Sequence, residues 1–235
     1  MPKKIRVYPR ESAAEKGLTI FSLQFKMTEQ SVIYKGSDIK IMIRKLAPDK
    51  SEKFLDAALK LFVANGVQNT STAAIAKEAG TASGTLFLYF PTKQDLINEL
   101  VLKISRDQSD YMKRLLDPSF SVRDTFFTIW SGCIRWFLEN MDAYEYNQQV
   151  RDSGLVEEAV VQESGKFLSY FYNAIQKGLE EGVIKPYPVD LIGGFLYQDI
   201  VAVMNLLRTQ LNPDKQEEAL QLGFEIFWNG IRTGK

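Results

Sequence analysis

Histidine is absent from this chain of 235 residues, and cysteine occurs once, at Cys133. Without histidine, the chain lacks the most common general base, the most common transition-metal ligand and any Ser-His-Asp arrangement. A single cysteine excludes a disulfide within the chain and is typical of a reducing, cytoplasmic compartment. The chain also has no phosphate loop of the form Gly-x-x-x-x-Gly-Lys-Ser/Thr. These absences argue against an enzyme, a metal site and a bound cofactor.

Long apolar runs are missing as well. None approaches the roughly 18 residues that span a membrane, and no apolar stretch with a cleavage site follows the N-terminus. Hydrophobic residues make up 45% of the chain and charged residues 25%, which is enough apolar material for a sizeable globular core. We therefore expect no membrane association.

The charge balance hides an asymmetry between the two ends of the chain. Basic and acidic residues are equal at 29 each, but residues 1–47 carry 10 basic and 4 acidic side chains, and residues 48–235 carry 19 and 25. Two interpretations of residues 1–47 stay open: a poorly ordered leader, or a basic arm that reaches DNA phosphates. Because the remainder is slightly acidic, charge alone gives little support to nucleic-acid binding.

Helical periodicity begins at about Pro48 and continues to the end of the chain, without strand-like alternation. Ser71 is a candidate N-cap, and Thr92 with Asp95 forms a candidate capping box. An all-α fold is therefore predicted. The expected helices run over about 49–65, 72–79, 83–90, 93–116, 121–140, 142–152, 155–181, 188–210 and 213–233.

The stretch STAAIAKEAGTASGTLFLYFPTK, residues 71–93, carries the functional signal. Three short helices at this spacing predict a helix-turn-helix with its motif at about 71–90. Between about Asp49 and Leu100 the chain resembles the tetracycline-repressor (TetR) family, through Ile-Ala-x-x-Ala-Gly, Gly-Thr-Leu-aromatic-x-Tyr-Phe and Thr-Lys-x-x-Leu. The resemblance implies a helix-turn-helix DNA-binding domain over 48–108 and a helical ligand-binding and dimerisation domain over 109–235.

The third short helix has two unlike sides. Leu86, Tyr89 and Phe90 cluster toward the core, whereas the opposite side offers Thr85 and Leu88, whose methyl groups can meet thymine methyls in a major groove. Carried over by position, the resemblance implies these DNA-contacting residues: Ser71, Thr72, Ser83, Gly84, Thr85, Phe87, Leu88, Tyr89 and Lys93.

Three departures from the family pattern affect this surface. Ser83 stands where the family frequently has a longer polar or basic side chain. Phe87 stands where the family usually has a tyrosine whose hydroxyl meets a phosphate. Ala73 and Ala74 leave the preceding helix without charged contacts at those positions. Lys93, at the N-terminus of the following helix, is the expected phosphate anchor.

The C-terminal half is rich in aromatic residues, which line ligand pockets in helical bundles but also fill ordinary cores. Because the family resemblance implies a pocket, we expect an apolar or aromatic small molecule to bind among Trp130, Cys133, Phe137, Tyr144, Phe167 and Phe171. The last two helices are expected to form a four-helix bundle across a two-fold axis, with Gly193 and Gly194 allowing close helix approach. The predicted interface residues are Ile192, Phe195, Phe224 and Trp228.

The sequence therefore predicts a cytoplasmic transcriptional regulator. The expected form is a homodimeric repressor on a palindromic double-stranded operator, released by a small apolar or aromatic inducer. An alternative is a DNA-organising or interaction protein of the same fold without a ligand switch.

Overall fold

The computed structural model describes residues 48–151, 153–209 and 212–234. The predicted leader or basic arm, residues 1–47, lies outside them. Helices dominate the described part, which has an isolated bridge between Ile184 and Arg232 but no strand. The helices are α1 (Pro48–Asn65), α2 (Thr72–Glu78), α3 (Ser83–Tyr89), α4 (Lys93–Leu115), α5 (Val122–Glu139), α6 (Met141–Val150), α7 (Glu158–Gly165), α8 (Ser169–Glu180), α9 (Val189–Leu207) and α10 (Pro213–Ile231).

The predicted caps are present and fix where helices begin. The Ser71 hydroxyl accepts from the backbone N–H of Ala74, and Thr92 and Asp95 form a reciprocal capping box at the start of α4. The helix predicted over 155–181 is instead divided into α7, a 3-10 turn at Lys166–Leu168, and α8. Gly165 ends α7 at this division, consistent with the low helix propensity of glycine.

Helices α1, α2 and α3 pack around one small core. Phe54, Phe62, Ile75 and Leu86 are all fully buried there. Of these four residues, Ile75 comes from α2 and Leu86 from α3, whereas the longer α1 supplies both phenylalanines. The two short helices therefore depend on α1 as a common support.

Helix α6 connects this N-terminal unit to the C-terminal half. The Tyr146 ring stacks on Phe62 at 5.9 Å between centroids, and its hydroxyl donates to the Ile97 carbonyl at 2.9 Å. The Gln149 side chain accepts from the Val67 N–H at 3.2 Å. A displacement of α6 would therefore reach α1 and α4 directly.

The C-terminal core is built around α5. Phe126, Ile129 and Trp130 are fully buried against α8, α9 and α10. At Gly223 of α10 an added Cβ would lie 2.6 Å from Val203 and 2.9 Å from Trp130, so this glycine permits the close packing of three helices. At Gly194 of α9 an added Cβ would meet nothing within 4 Å among the described residues of the same protomer, so close approach at this glycine, predicted for the dimer, stays a prediction.

Helix α9 is long and apolar enough to cross a membrane by length and mean hydropathy, which is 1.3, although the sequence predicted no such segment. Within the fold its apolar residues divide between two sides. Ile192 and Met204 are buried, whereas Phe195 and Leu206 are exposed. A helix with one side in a core and the other on an apolar surface has this composition without a membrane.

Candidate nucleic-acid interface

Helix α3 is held on the domain by its inward side. Leu86 is fully buried, and Tyr89 and Phe90 are 7% and 3% exposed. The Phe54 ring lies 5.5 Å from the Tyr89 ring and 6.4 Å from the Phe90 ring. Periodicity predicted that Tyr89 lies toward the core, and its ring does lie there, where it fixes α3 against α1. A contact of Tyr89 with DNA, which the family resemblance implies, stays a prediction.

The outward side of α3 presents apolar side chains to solvent. Phe87 is 45% exposed and Leu88 is 62% exposed. Ser83 and Thr85 are half-buried, and Gly84 is exposed, with open space where a Cβ would stand. The fold itself therefore does not require glycine at position 84, whereas close approach of another backbone would.

Helix α2 supplies the neighbouring part of this surface. The Ser71 oxygen accepts from the Ala74 N–H at 3.1 Å, which leaves the hydroxyl proton available for another acceptor. Thr72 is half-buried. At the far end of α2, the Glu78 carboxylate accepts from Lys60 at 2.5 Å, so its charge is paired with a cation from α1.

Lys93 begins α4 beside the same surface. Its Nζ donates to the Gln68 carbonyl at 3.1 Å and lies 6.0 Å from the centroid of the Phe62 ring. Burial lowers the pKa of Lys93 from its usual value. An ammonium has three donors, so two remain for a phosphate while the bond to Gln68 holds the side chain in place.

The residues predicted to bind a ligand lie in different parts of the C-terminal half, and most of them pack on neighbouring side chains. Trp130 is fully buried and donates from Nε1 to Asp199 at 2.5 Å, while its ring lies 6.0 Å from that of Phe224. Phe171 meets Phe126 edge-to-face at 6.2 Å. These contacts are those of a packed core.

The other predicted ligand residues lie toward α6 and the 3-10 turn. Phe137 contacts Tyr144 at 5.4 Å between centroids, and Phe167 is half-buried on the turn itself. Burial raises the pKa of the Cys133 thiol to about 12, so the cysteine stays protonated and unreactive. Gln108 of α4 was not predicted, yet its Nε2 is buried without a hydrogen-bond partner in the described structure.

A separate open cleft of about 430 Å³ lies among α5, α10 and the turn after α8. Arg123 and Glu225 form an ion pair across it, and Arg232 donates to Asn229. Sequence reasoning did not indicate this cleft, because its residues come from three distant segments. The arginine and glutamate side chains that line the cleft balance each other in charge, so the lining does not favour ligands of one charge.

The predicted dimer interface requires correction. Ile192, Phe224 and Trp228 are 1%, 0% and 5% exposed within one protomer, so they belong to its core. Of the four predicted residues, Phe195 alone is exposed, at 65%. The error has a physical cause: α9 and α10 each carry two apolar stripes, and periodicity does not reveal which stripe faces the core. The exposed stripes, here called the α9–α10 face, contain Leu191, Phe195, Leu206, Leu222 and Ile226.

Known proteins are similar both to the helix-turn-helix unit and to most of the fold. Residues 54–100 match the family "Bacterial regulatory proteins, tetR family". The regulator SrpR of Pseudomonas putida is 24% identical over 81% of this chain and 91% of its own. A solved tetR family transcription regulator from Shewanella sp. PV-4 is 27% identical, with a TM-score of 0.73 over 78% of this chain and 98% of that one.

A more distant structure shares the fold and was solved with a bound molecule. It is FadR from Bacillus subtilis in complex with stearoyl-CoA, 20% identical, with a TM-score of 0.61 over 77% of this chain and 98% of that one. The helix-turn-helix of α1 to α3, the helical C-terminal half and these similarities lead to one conclusion: the chain is a transcriptional regulator of the TetR family.

Proposed function

We propose that the protein is a cytoplasmic homodimeric repressor that binds a palindromic operator and is released by a small apolar or aromatic ligand. The observation that carries the proposal is the presence of two exposed apolar surfaces on an otherwise well-buried fold, the outward side of α3 and the α9–α10 face. Exposed apolar patches of this kind mark interaction sites.

The outward side of α3 suits a major groove. A helix enters that groove end-on or along its side and contacts bases with residues near its N-terminus. Gly84 permits close approach, Thr85 and Leu88 flank it, and Lys93 lies beside the helix with donors for a phosphate. The hydroxyls of Ser71 and Ser83 are further donors to the DNA backbone.

The α9–α10 face suits a second copy of the chain. Two such helices from each protomer would form a four-helix bundle on a two-fold axis and cover Phe195 and Ile226, which are 65% and 72% exposed. A palindromic operator needs two recognition helices one DNA turn apart, roughly 34–36 Å. Dimerisation therefore follows from the mode of DNA binding.

Ligand control is supported by the composition of the C-terminal core and by its connection to the DNA-binding domain. The buried amide nitrogen of Gln108 has no hydrogen-bond partner among the described residues and lies on α4, the helix that runs from Lys93 into the C-terminal half. The 3-10 turn at Lys166–Leu168 interrupts the helix that covers this region, and such interruptions often act as hinges. A ligand that separates the packed aromatic rings would displace α4 or α6, and both contact the helix-turn-helix unit.

The alternative function, DNA organisation without a ligand switch, also has an observation in its favour. Trp130, Phe137, Tyr144 and Phe171 pack on neighbouring side chains, as they would in a permanently filled core. The two functions differ in the coupling free energy between ligand binding and DNA binding. A switch requires a ligand that binds the DNA-free state more tightly by a coupling of about 1–3 kcal/mol, which changes DNA affinity roughly 5–150-fold.

The test begins with selection of duplexes from a random library by the full-length protein, followed by sedimentation of the protein alone. A palindromic consensus and a dimer are the expected results. Lipophilic and aromatic compounds, including acyl-CoA, are then screened for binding by the change in tryptophan emission that they cause. Each compound that binds is added to an operator titration. Ligands that bind without changing operator affinity would favour the alternative function.

A further inference from the structure

The surface from α2 to α3 has an unusual chemical composition for a base-reading surface. Residues 72–89 contain no arginine, asparagine, glutamine or aspartate. Their charged residues are Lys77 and Glu78 at the end of α2, and Glu78 is paired with Lys60. What the surface exposes instead is apolar: Ala73, Ala74, Ala82, Phe87 and Leu88.

This composition limits which bases can be read by hydrogen bonds. Guanine is read by the forked donors of arginine or by lysine, and adenine by the side-chain amide of asparagine or glutamine. None of the side chains on α3 has these groups, because Ser83–Tyr89 reads SGTLFLY. The hydroxyls of Ser83 and Thr85 can bond to base edges but do not distinguish one base from another. The base feature that the apolar side chains of α3 can recognise is the C5-methyl group of thymine.

We propose that Leu88 and Phe87, together with the methyl group of Thr85, read C5-methyl groups of pyrimidines in the major groove. The inference rests on the proposed function and specifies its determinant. Leu88 is the most exposed large apolar side chain among the described residues of the N-terminal domain, at 62%. Phe87 lacks the hydroxyl that a tyrosine would direct to a phosphate, so its ring remains for an apolar contact.

A consequence is that thymine and 5-methylcytosine are equivalent at the positions that these side chains contact. Both bases carry the same methyl group at C5. Operator half-sites are therefore rich in thymine at two or three positions, and cytosine methylation at those positions increases affinity.

The experiment uses the full-length protein and the consensus duplex selected from a random library. Each thymine is replaced in turn by deoxyuridine, which removes only the C5-methyl group, and affinities are measured by fluorescence anisotropy. At contacted positions each lost methyl is expected to weaken binding about fourfold. At the other positions the replacement should have no effect, which makes them internal controls. In a second series a contacted T·A pair becomes C·G or 5-methyl-C·G, and the methylated pair is expected to bind more tightly.

Protein variants assign the effect to named side chains. Leu88→Ala should abolish the difference between thymine and deoxyuridine at one position, and circular dichroism checks that the exposed substitution leaves the fold intact. Thr85→Val keeps the methyl and should keep the difference at its position, whereas Thr85→Ser removes the methyl and should lose it.

Equal binding of thymine and deoxyuridine duplexes at every position would overturn the inference, and so would a Leu88→Ala variant that keeps the full difference. A library that yields no enriched sequence would instead reject the proposed function, and the inference with it. The two failures are therefore distinguishable.

Discussion

The outward side of α3 and the α9–α10 face both expose large apolar side chains, but they are built differently. On α3, Phe87 and Leu88 stand among hydroxyls, a glycine and a nearby lysine, on a helix of seven residues. On α9 and α10, two helices of 19 residues present longer apolar stripes that include Phe195 and Ile226. A short apolar patch with polar neighbours suits a groove lined by phosphates, whereas a long double stripe suits another helix pair.

The largest expected effect comes from placing a carboxylate on each surface. Phe195 and Leu88 are similarly exposed, at 65% and 62%, so Phe195→Glu and Leu88→Glu are matched substitutions. Phe195→Glu should produce monomers, because a charge would be buried in the four-helix bundle. Its operator affinity should fall by about 10²–10⁴-fold, because the two half-sites are no longer engaged together.

Leu88→Glu should lose operator affinity as well, through repulsion from phosphates, but remain a dimer. Sedimentation velocity and operator titration of both variants separate the two surfaces. A dimeric Phe195→Glu protein would mean that the α9–α10 face has another role.

The next effect concerns two glycines in the C-terminal half. At Gly223 an added Cβ would lie 2.6 Å from Val203, and at Gly194 it would meet nothing within 4 Å. Gly223→Ala should lower the free energy of unfolding by about 1–3 kcal/mol, because the packing of α10 against α9 and Trp130 leaves no room for a methyl group. Gly194→Ala is the control: within one protomer its methyl group meets nothing, so it should be neutral or slightly stabilising unless the partner's helices approach closely there. Urea unfolding at fixed protein concentration measures both; equal stabilities would show that α10 can shift without cost.

A smaller and opposite effect is expected at Gly84 of α3. Because its missing Cβ faces open space, Gly84→Ala should stabilise the protein by up to about 0.5–1 kcal/mol, through the helix preference of alanine. Operator affinity should nevertheless decrease, because the methyl group would hold the helix backbone away from the duplex. Thermal unfolding and operator titration on the same preparation test the two halves of this prediction. Unchanged affinity would place the closest approach to DNA at another residue.

The sequence predicted the N-terminal elements accurately because their signals are local. Ser71, Thr92 and Asp95 cap helices by bonds to residues within three positions, and the predicted starts at 72, 83 and 93 agree with the structure. The inward position of Leu86 also follows from periodicity alone. Tyr89 also lies inward, as periodicity predicts, and its contact with DNA, which the resemblance implies, stays a prediction.

The C-terminal half depended on contacts between distant segments, which no local pattern contains. The bond from Tyr146 to the Ile97 carbonyl spans 49 positions, and the Trp130–Asp199 bond spans 69. On α9, Ile192 and Phe195 are both apolar and only three positions apart, yet one is buried and the other exposed. Hydrophobicity identified the helices there, but only the packing of α5 against them determined which stripe remained exposed.

The last prediction concerns Asp199, which lies between the exposed and buried stripes of α9 and accepts the Trp130 N–H. Burial raises the pKa of this carboxyl above its usual value, and the bond from Trp130 opposes the shift only in part. Because the folded-state pKa is above the unfolded one, the stabilisation that Asp199 gives is complete below the unfolded pKa, near 4, and is lost as pH rises through the folded pKa.

Asp199→Asn keeps an oxygen that can accept from Trp130 but does not ionise. The variant should therefore match the unsubstituted protein at low pH and become the more stable of the two as pH rises through that window. Urea unfolding followed by tryptophan emission, at one protein concentration and several pH values, measures the difference. Stability curves that run parallel at all pH values would show that Asp199 ionises equally easily in the folded and unfolded chain, and would overturn the prediction.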